Sequence, residues 1–275
     1  TGEDTLSLHD ALPIYQPFFV TGQEIRLGVS LGIAVWPDDS DDFGELLKKA
    51  DTALYQAKQE GRHTHRFYTD LMNTHSMERL QLESRLRQGL ESGELEIHYQ
   101  PQVSLPDGQL CGLEALVRWR HPVDGLIPPD RFLPIAEESS LIFDIGSFVL
   151  ETVCRQLRNW RDAGHRLVPV SINLSALQIS RGNLVETVTD ALERHGLPAG
   201  LLALELTEST LHHEAERCLS TLAMLKIMGI PVSIDDFGTG CTSLVYLSRV
   251  DVAKLKIDRS IIKAMEIGRA SCRER

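Results

Sequence analysis

Apolar positions along this chain of 275 residues first follow a strand, helix, strand order. Residues 25–36 (IRLGVSLGIAVW) are apolar and β-branched with interspersed glycine, bounded by Pro37 and the acidic run 38–42, which predicts a strand. From 43 to 60, Leu46, Leu47, Ala50, Ala53, Leu54 and Ala57 recur at helical spacing and Gly61 supplies the stop. A short strand at 65–68 closes this unit. Between 72 and 93, Leu80, Leu82, Leu86 and Leu90 stand among alternating charges, the pattern of a connecting amphipathic helix, and the domain boundary is placed there.

Beyond it the pattern turns to strand then helix, repeatedly. Strand-like runs occupy 95–99, 110–119, 167–174, 201–206, 230–235 and 252–257. Helical stretches at 140–163, 184–195 and 214–228 lie between them, with Gly164, Gly196 and Gly229 as C-terminal stops. Such alternation predicts a mostly parallel sheet or barrel. An eight-stranded α/β barrel typically takes about 250 residues, more than the chain has left after Gly93. The expectation is therefore an α/β fold: an incomplete TIM-like barrel with about six of eight strands, preceded by a partial α+β domain. Residues 1–15 and 266–275 match neither the periodicity beside them nor any element boundary, resemble translated sequencing-adapter remnants, and are read as non-native. That leaves 16–71 as the first unit, 72–93 as the connecting helix and 94–265 as the truncated barrel.

Composition narrows the function. With 24% charged and 42% hydrophobic residues the chain is an ordinary globular protein. A net charge of -11 argues against a binder of nucleic-acid polymers, which needs surplus Lys and Arg to displace counterions. The five cysteines are scattered and never form a C-x-x-C pair, so neither a disulfide framework nor a zinc site is indicated, and a reducing cytoplasm fits. No apolar run approaches the roughly 18 residues a bilayer crossing needs, and no signal segment opens the chain; a parent protein with an anchor upstream stays open.

The chemistry sits where the strands end. Glu114 in GLEALVRW, Asn173 in VSINLS, Glu205 in LALELTES, Asp235 and Asp236 in VSIDDFGTG, and Lys256 with Asp258 in LKIDR each fall inside or just past an apolar run. In an α/β barrel those ends converge on one face, so residues far apart in sequence meet there. Ionised groups are costly to bury unless paired or bound to metal, so together these carboxylates need a cation. Oxygen ligands without Cys or His favour hard ions such as Mg²⁺ or Mn²⁺ over zinc. The adjacent pair Asp235 and Asp236 suits two ions, one of them bridging, as in two-metal phosphoester hydrolysis. Taken singly, any of these acids could instead be a helix cap or a loop carboxylate, and for Asp258 a cap or a salt bridge to Arg259 is as good a reading as catalysis.

EALVRW, the run 169–176, ELTES, DDFGTG and LKIDRS resemble, in order and approximate spacing, the EAL phosphodiesterase family, and the match runs from about Glu94 to about Met265. The resemblance implies hydrolysis of cyclic di-GMP to linear pGpG in bacterial second-messenger signalling, with two Mg²⁺ or Mn²⁺ ions per site. Carried over motif by motif, Glu114, Asn173, Glu205, Asp235 and Asp236 become metal ligands, and Glu114 and Asp236 with Lys256 become the catalytic set. Lys256 would position or deprotonate the attacking water, the latter only if neighbouring cations or burial lower its pKa. Gln100 in HYQPQ and Arg118 in EALVR match substrate-contacting positions, Arg118 being suited to a phosphate. Glu208 in ELTES would hold the loop after the double-aspartate strand. The family also implies a homodimer through the barrel. Cys241, Thr242 and Ser243 depart from the aromatic and two serines usual after GTG, and the last two strands are missing, with a further acid and a Gln. Two rival readings stay open: a sensor that binds cyclic di-GMP without cleaving it, and an inactive fragment of the enzyme.

Upstream, SLGIAVWP followed by ADTALYQAKQEGR resembles the C-terminal part of a GGDEF, diguanylate-cyclase-like domain over about 25–67. Lys58 and Arg62 match phosphate-holding positions there, but without the signature loop a solvated face is the preferred reading and no cyclase activity is expected. Asp236-Phe237-Gly238 spells a kinase motif without the accompanying catalytic loop, and Gly238-Thr239-Gly240 lacks the rest of a dinucleotide fingerprint. His212 and His213 are adjacent, so no helix face carries both as ligands.

Overall fold

The computed structural model describes residues 18–20, 23–25, 28–59, 63–181, 183–208, 210, 215–238 and 252–264. Cys241, Thr242, Ser243, Arg62, His212, His213 and both ends read as non-native lie outside this set. The chain forms two compact units, Thr1–Gln81 and Leu82–Arg275.

In the first unit, β1 (Phe18–Val20) and β2 (Gln23–Ile25) form an antiparallel hairpin. β3 (Leu31–Ile33) pairs in parallel with β4 (His65–Phe67), and α1 (Phe43–Gln59) makes the crossover between them. The single strand expected over 25–36 is thus only the three residues of β3, with the end of β2 before it. Asp42 caps α1 by accepting the Glu45 N–H at 2.9 Å. Ala53 and Ala57, both fully buried, let the helix lie flat on the strand pair. The approach is so close that a Cβ on Gly32 would stand 2.0 Å from the Ala50 carbonyl oxygen.

α2 (Asp70–Glu91) crosses the division between the units. In the second unit its tail contributes Leu86 to the core. A seven-stranded sheet follows: β5 (Leu95–Val103), β6 (Leu110–His121), β7 (Gly125–Ile127), β8 (Val170–Leu174), β9 (Leu202–Thr207), β10 (Val232–Phe237) and β11 (Lys254–Ile257). The spatial order is β11-β10-β9-β8-β6-β5, with β7 turned back on β6. Strands β6, β8, β9, β10 and β11 run parallel. β5 and β7 are antiparallel to β6, a departure from an alternating β/α barrel. The cause is connection length: the links from β5 to β6 and from β6 to β7 are tight turns, and a parallel partner needs a crossover of a dozen residues or more.

The crossovers are α3 (Pro129–Glu138) and α4 (Ile142–Asp162) between β6 and β8, α5 (Ala176–Arg181) and α6 (Leu184–His195) between β8 and β9, and α7 (Ala215–Ile227) between β9 and β10, with α8 (Arg259–Ala264) last. Several short elements escaped the sequence reading, among them β1, α8, α3, α5 and β7. α3 carries Pro129, harmless at a helix start, and Pro134 within it, and such prolines mask a helical period. α5 and β7 are too short to show one. The helices cover the outer face of the sheet: Val149, Val153 and Leu157 of α4, Val188 and Leu192 of α6, and Leu222 and Leu225 of α7 are buried in one cluster with Val170, Ile172, Leu202, Leu204, Leu206, Val232 and Ile234. β9 and the first halves of β8 and β10 are buried on both sides, which is why they read as apolar runs rather than alternating ones, whereas the edge strand β11 leaves Leu255 and Ile257 exposed.

Candidate metal centre

Register fixes what lies on the inner face. Gln100 stands opposite Glu114, Glu114 opposite Ser171, Asn173 opposite Glu205, and Glu205 opposite Ser233, which in turn pairs with Lys254. Because strand side chains repeat every second residue, Arg118, Asp235 and Lys256 share that face with them. On β8, β9 and β10 one side is therefore apolar and helix-covered, and across the sheet the other side carries almost every polar residue the sequence places at strand ends.

The sheet is curled enough for its two edge strands to touch across this face, where Lys254 Nζ of β11 donates to Gln102 Oε1 of β5 at 2.9 Å. At the centre, Lys256 Nζ donates to Glu114 Oε2 at 2.8 Å, Glu205 Oε2 at 2.6 Å and Asp235 Oδ2 at 2.8 Å. Oxygen atoms of Glu114, Glu205 and Asp235 all lie within 4.8 Å of one another. Asn173 joins the group, its Nδ2 donating to Glu114 Oε1 at 2.9 Å. Glu205 is 1% exposed, and its Oε1 is buried without a hydrogen-bond partner. An orphaned carboxylate oxygen amid two further acids and an amide is a donor set that fits a hard divalent cation.

Burial alone would pull the Lys256 ammonium down, but its hydrogen bonds to Asp235, Glu114 and Glu205 outweigh that and hold its pKa well above the usual lysine range. In this arrangement the residue is a cation, and taking a proton from water would require those contacts to be exchanged first.

Asp236 stands apart from the three-carboxylate group. Strict alternation would send it to the outer face, but β10 carries one extra residue between Ile234 and Phe237 against the step from Leu255 to Ile257 on β11. This bulge is accompanied by φ 53° at Asp236, a left-handed conformation costly for a residue with a Cβ. The Asp236 N–H donates to Asp235 Oδ1 at 2.9 Å. Its carboxyl is pushed up, first by burial and then by the charges of Asp235, Asp258 and Glu114, with Lys256 opposing. The second aspartate therefore feels the negative charge of the centre. Asp258 accepts the Ser260 N–H at 2.7 Å and also its hydroxyl, which makes it the cap of α8.

The remaining positions frame the centre. Glu208, 3% exposed, accepts the Gly238 N–H at 2.7 Å and so ties the end of β9 to the turn after β10. Gly238 has φ 98°, open to glycine but strained for other residues. Arg118 donates to the Val117 carbonyl at 2.8 Å and lines a cavity of about 280 Å³ with Asn173, Glu137 and Thr207. Gln100 is exposed on β5 opposite Glu114, and Lys58 is exposed on α1.

One device was overlooked in the sequence although its signature is there. In Ser175-Ala176-Leu177-Gln178 the Ser175 N–H donates to Gln178 Oε1 at 3.0 Å and the Gln178 N–H to Ser175 Oγ at 3.4 Å, a capping box two residues beyond Asn173. Gly146 of α4 makes room for it, since a Cβ there would lie 1.9 Å from Gln178 Nε2. Gly146→Ala gains about 1 kcal/mol of helix propensity and expels Gln178, forfeiting a cap of similar worth, so net stability should barely change. Hydrogen exchange at the Ser175 amide should accelerate. In a Gln178→Ala background, where the space is already free, Gly146→Ala should instead stabilise by about 1 kcal/mol in urea titrations. Equal effects in both backgrounds would refute the coupling.

Comparison with known proteins matches two family descriptions: EAL domain over residues 83–273, and diguanylate cyclase, GGDEF domain over residues 8–64. The chain is 47% identical over 252 residues to the bifunctional diguanylate cyclase/cyclic di-GMP phosphodiesterase MucR of Pseudomonas aeruginosa, covering 92% of this chain and 37% of that protein. It is 42% identical over 247 residues to the cyclic di-GMP phosphodiesterase NbdA of the same organism, covering 90% and 32%. The chain thus spans about a third of the length of these relatives. Among solved structures, the PaMucR phosphodiesterase in its c-di-GMP complex superposes with a TM-score of 0.64 at 50% identity, over 66% of this chain and 74% of that one. The cGMP-bound EAL enzyme Bd1971 does so with 0.66 at 29% identity, over 84% and 60%.

Proposed function

The chain belongs to the EAL domain family, and from that premise we propose that its barrel hydrolyses cyclic di-GMP to linear pGpG with Mg²⁺ or Mn²⁺. The observation that carries the proposal is the convergence of Glu114, Glu205 and Asp235 from three strands, with one oxygen of Glu205 left without a partner. Similarity to the cyclic di-GMP phosphodiesterases MucR and NbdA supports the substrate and the reaction.

Glu114, Asn173, Glu205, Asp235 and Asp236 would hold the ions, which when bound would supply Lewis acidity to the phosphodiester and lower the pKa of the attacking water. The chain's own residues do the rest. Arg118, four residues along β6 from Glu114 on the same face, presents a planar donor pair to a phosphate, and Gln100 stands on β5 opposite Glu114. Lys256 orients the attacking water by donating to it and neutralises charge gathering on the phosphoryl oxygens. The water oxygen bonds to phosphorus as the bond from phosphorus to the ribose 3′ oxygen breaks, and of the water's two protons one ends on that leaving oxygen and the other on the new 5′ phosphate or in solvent. Glu208, by fixing Gly238, sets the turn that directs Asp236.

A cytoplasmic location is supported by the scattered cysteines, and pairing of two barrels by the family resemblance. Among the described residues no helix is long and apolar enough to cross a membrane.

The test is chromatographic detection of pGpG after incubating the purified chain with cyclic di-GMP and Mn²⁺, with Glu114→Ala alongside. Product that vanishes in the variant is the expected result. Binding of cyclic di-GMP with no product would replace the enzyme by a sensor.

A further inference from the structure

We propose that Lys256 is the centre's own resident cation, and that a divalent ion enters only by taking over the carboxylate oxygens this ammonium holds. The inference rests on the reading of this centre as a cation site.

Lys256 Nζ lies 2.6 to 2.8 Å from one oxygen each of Glu114, Glu205 and Asp235, carried by β6, β9 and β10, while the lysine itself comes from β11. Three acids on a mostly buried barrel face repel one another, and no other cation makes a hydrogen bond or ion pair to any of the three among the described residues. A small divalent metal binds oxygen at about 2.0–2.1 Å. Glu205 Oε1 is open to it, but Glu114 Oε1 and Asp235 Oδ1 are engaged by Asn173 Nδ2 and the Asp236 N–H, so an ion joining all three acids competes with the ammonium for Glu114 Oε2 and Asp235 Oδ2. A tethered ammonium differs from a free ion in that it cannot diffuse away. It can only swing, and the Lys256 side chain keeps 23% of its surface exposed, which leaves it a path toward the mouth. Before metal arrives it holds the ligands close together, and once displaced it points a positive charge toward the opening where an anionic ester would sit.

The role makes a prediction opposite in sign to that for an ordinary supporting residue. Lys256→Met keeps the volume of the chain but removes the competing cation. Calorimetric titration with Mn²⁺ in the absence of nucleotide should show binding about ten-fold or more tighter than in the wild type. The metal-free variant should melt lower and regain more on adding Mn²⁺. A second readout uses the unaltered protein, for the case that the variant folds poorly: amine-reactive labelling of Lys256, followed by mass spectrometry, should rise several-fold when Mn²⁺ is added. Equal or weaker Mn²⁺ binding in Lys256→Met, or labelling that stays flat or falls in the wild type, overturns the exchange while leaving the cation site intact. If the wild type and the variant both fail to bind Mn²⁺, the underlying reading fails with it.

Discussion

Glu205→Gln is expected to lower pGpG formation by at least about 100-fold, since loss of even a group behind a metal ligand costs 10- to 100-fold. The substitution keeps the side chain's size and removes only its charge. Glu205 sits in the middle of β9 between Asn173 on one side and Ser233 on the other, so no neighbouring acid can take its place. It is also the most enclosed of the acids, and water cannot substitute for it. The fold should tolerate the change, because a buried cluster loses one negative charge while Lys256 retains Glu114 and Asp235. Glu193→Ala, on the exposed side of α6, serves as the control and should leave turnover as it was. Turnover of Glu205→Gln within about three-fold of the wild type at saturating Mn²⁺ would remove this residue from the ligand set.

The second large effect is on stability. Trp119→Ala should cost about 3–5 kcal/mol in urea denaturation. Trp119 is fully buried, meets Phe132 edge-on at 5.8 Å and His121 at 5.4 Å, and donates its indole N–H to Glu94 Oε2 at 2.9 Å. The tail of α2 closes over it at Gly89, where a Cβ would stand 2.8 Å from the indole nitrogen. Trp119→Phe, which keeps most of the packing and loses the hydrogen bond, should fall between the two. A loss below about 1 kcal/mol for the alanine variant would mean that α2 is not seated on this ring.

The two predictions draw on different depths of sequence information. Glu114, Asn173, Glu205, Asp235 and Lys256 were legible as a group because each is a polar residue set in an apolar run, and parity along parallel strands then leaves them one common face. The parallel course of β6, β8, β9, β10 and β11 also followed from the alternation of strand and helix. The direction of β5 did not, because a hairpin and a crossover differ in the length of a link rather than in the strands themselves. The central place of Lys256 was not legible either: spacing can bring a lysine to the same face, but not say that three carboxylates close around it. α3 was hidden by its prolines, and the Gly146–Gln178 fit depends on two elements whose approach no local pattern records. Cys241, Thr242 and Ser243 fall outside the described residues.

Pairing of β10 with β11 counts from Ile234 to Phe237 as though Asp236 were skipped. Excising that single residue would therefore leave the ladder in phase, with Phe237 still opposite Ile257, and would relieve a backbone conformation that costs about 1–3 kcal/mol. Asp236 is thus supernumerary to the architecture: a shorter chain could make the same sheet, more comfortably, and what it would forgo is a second acid at the rim.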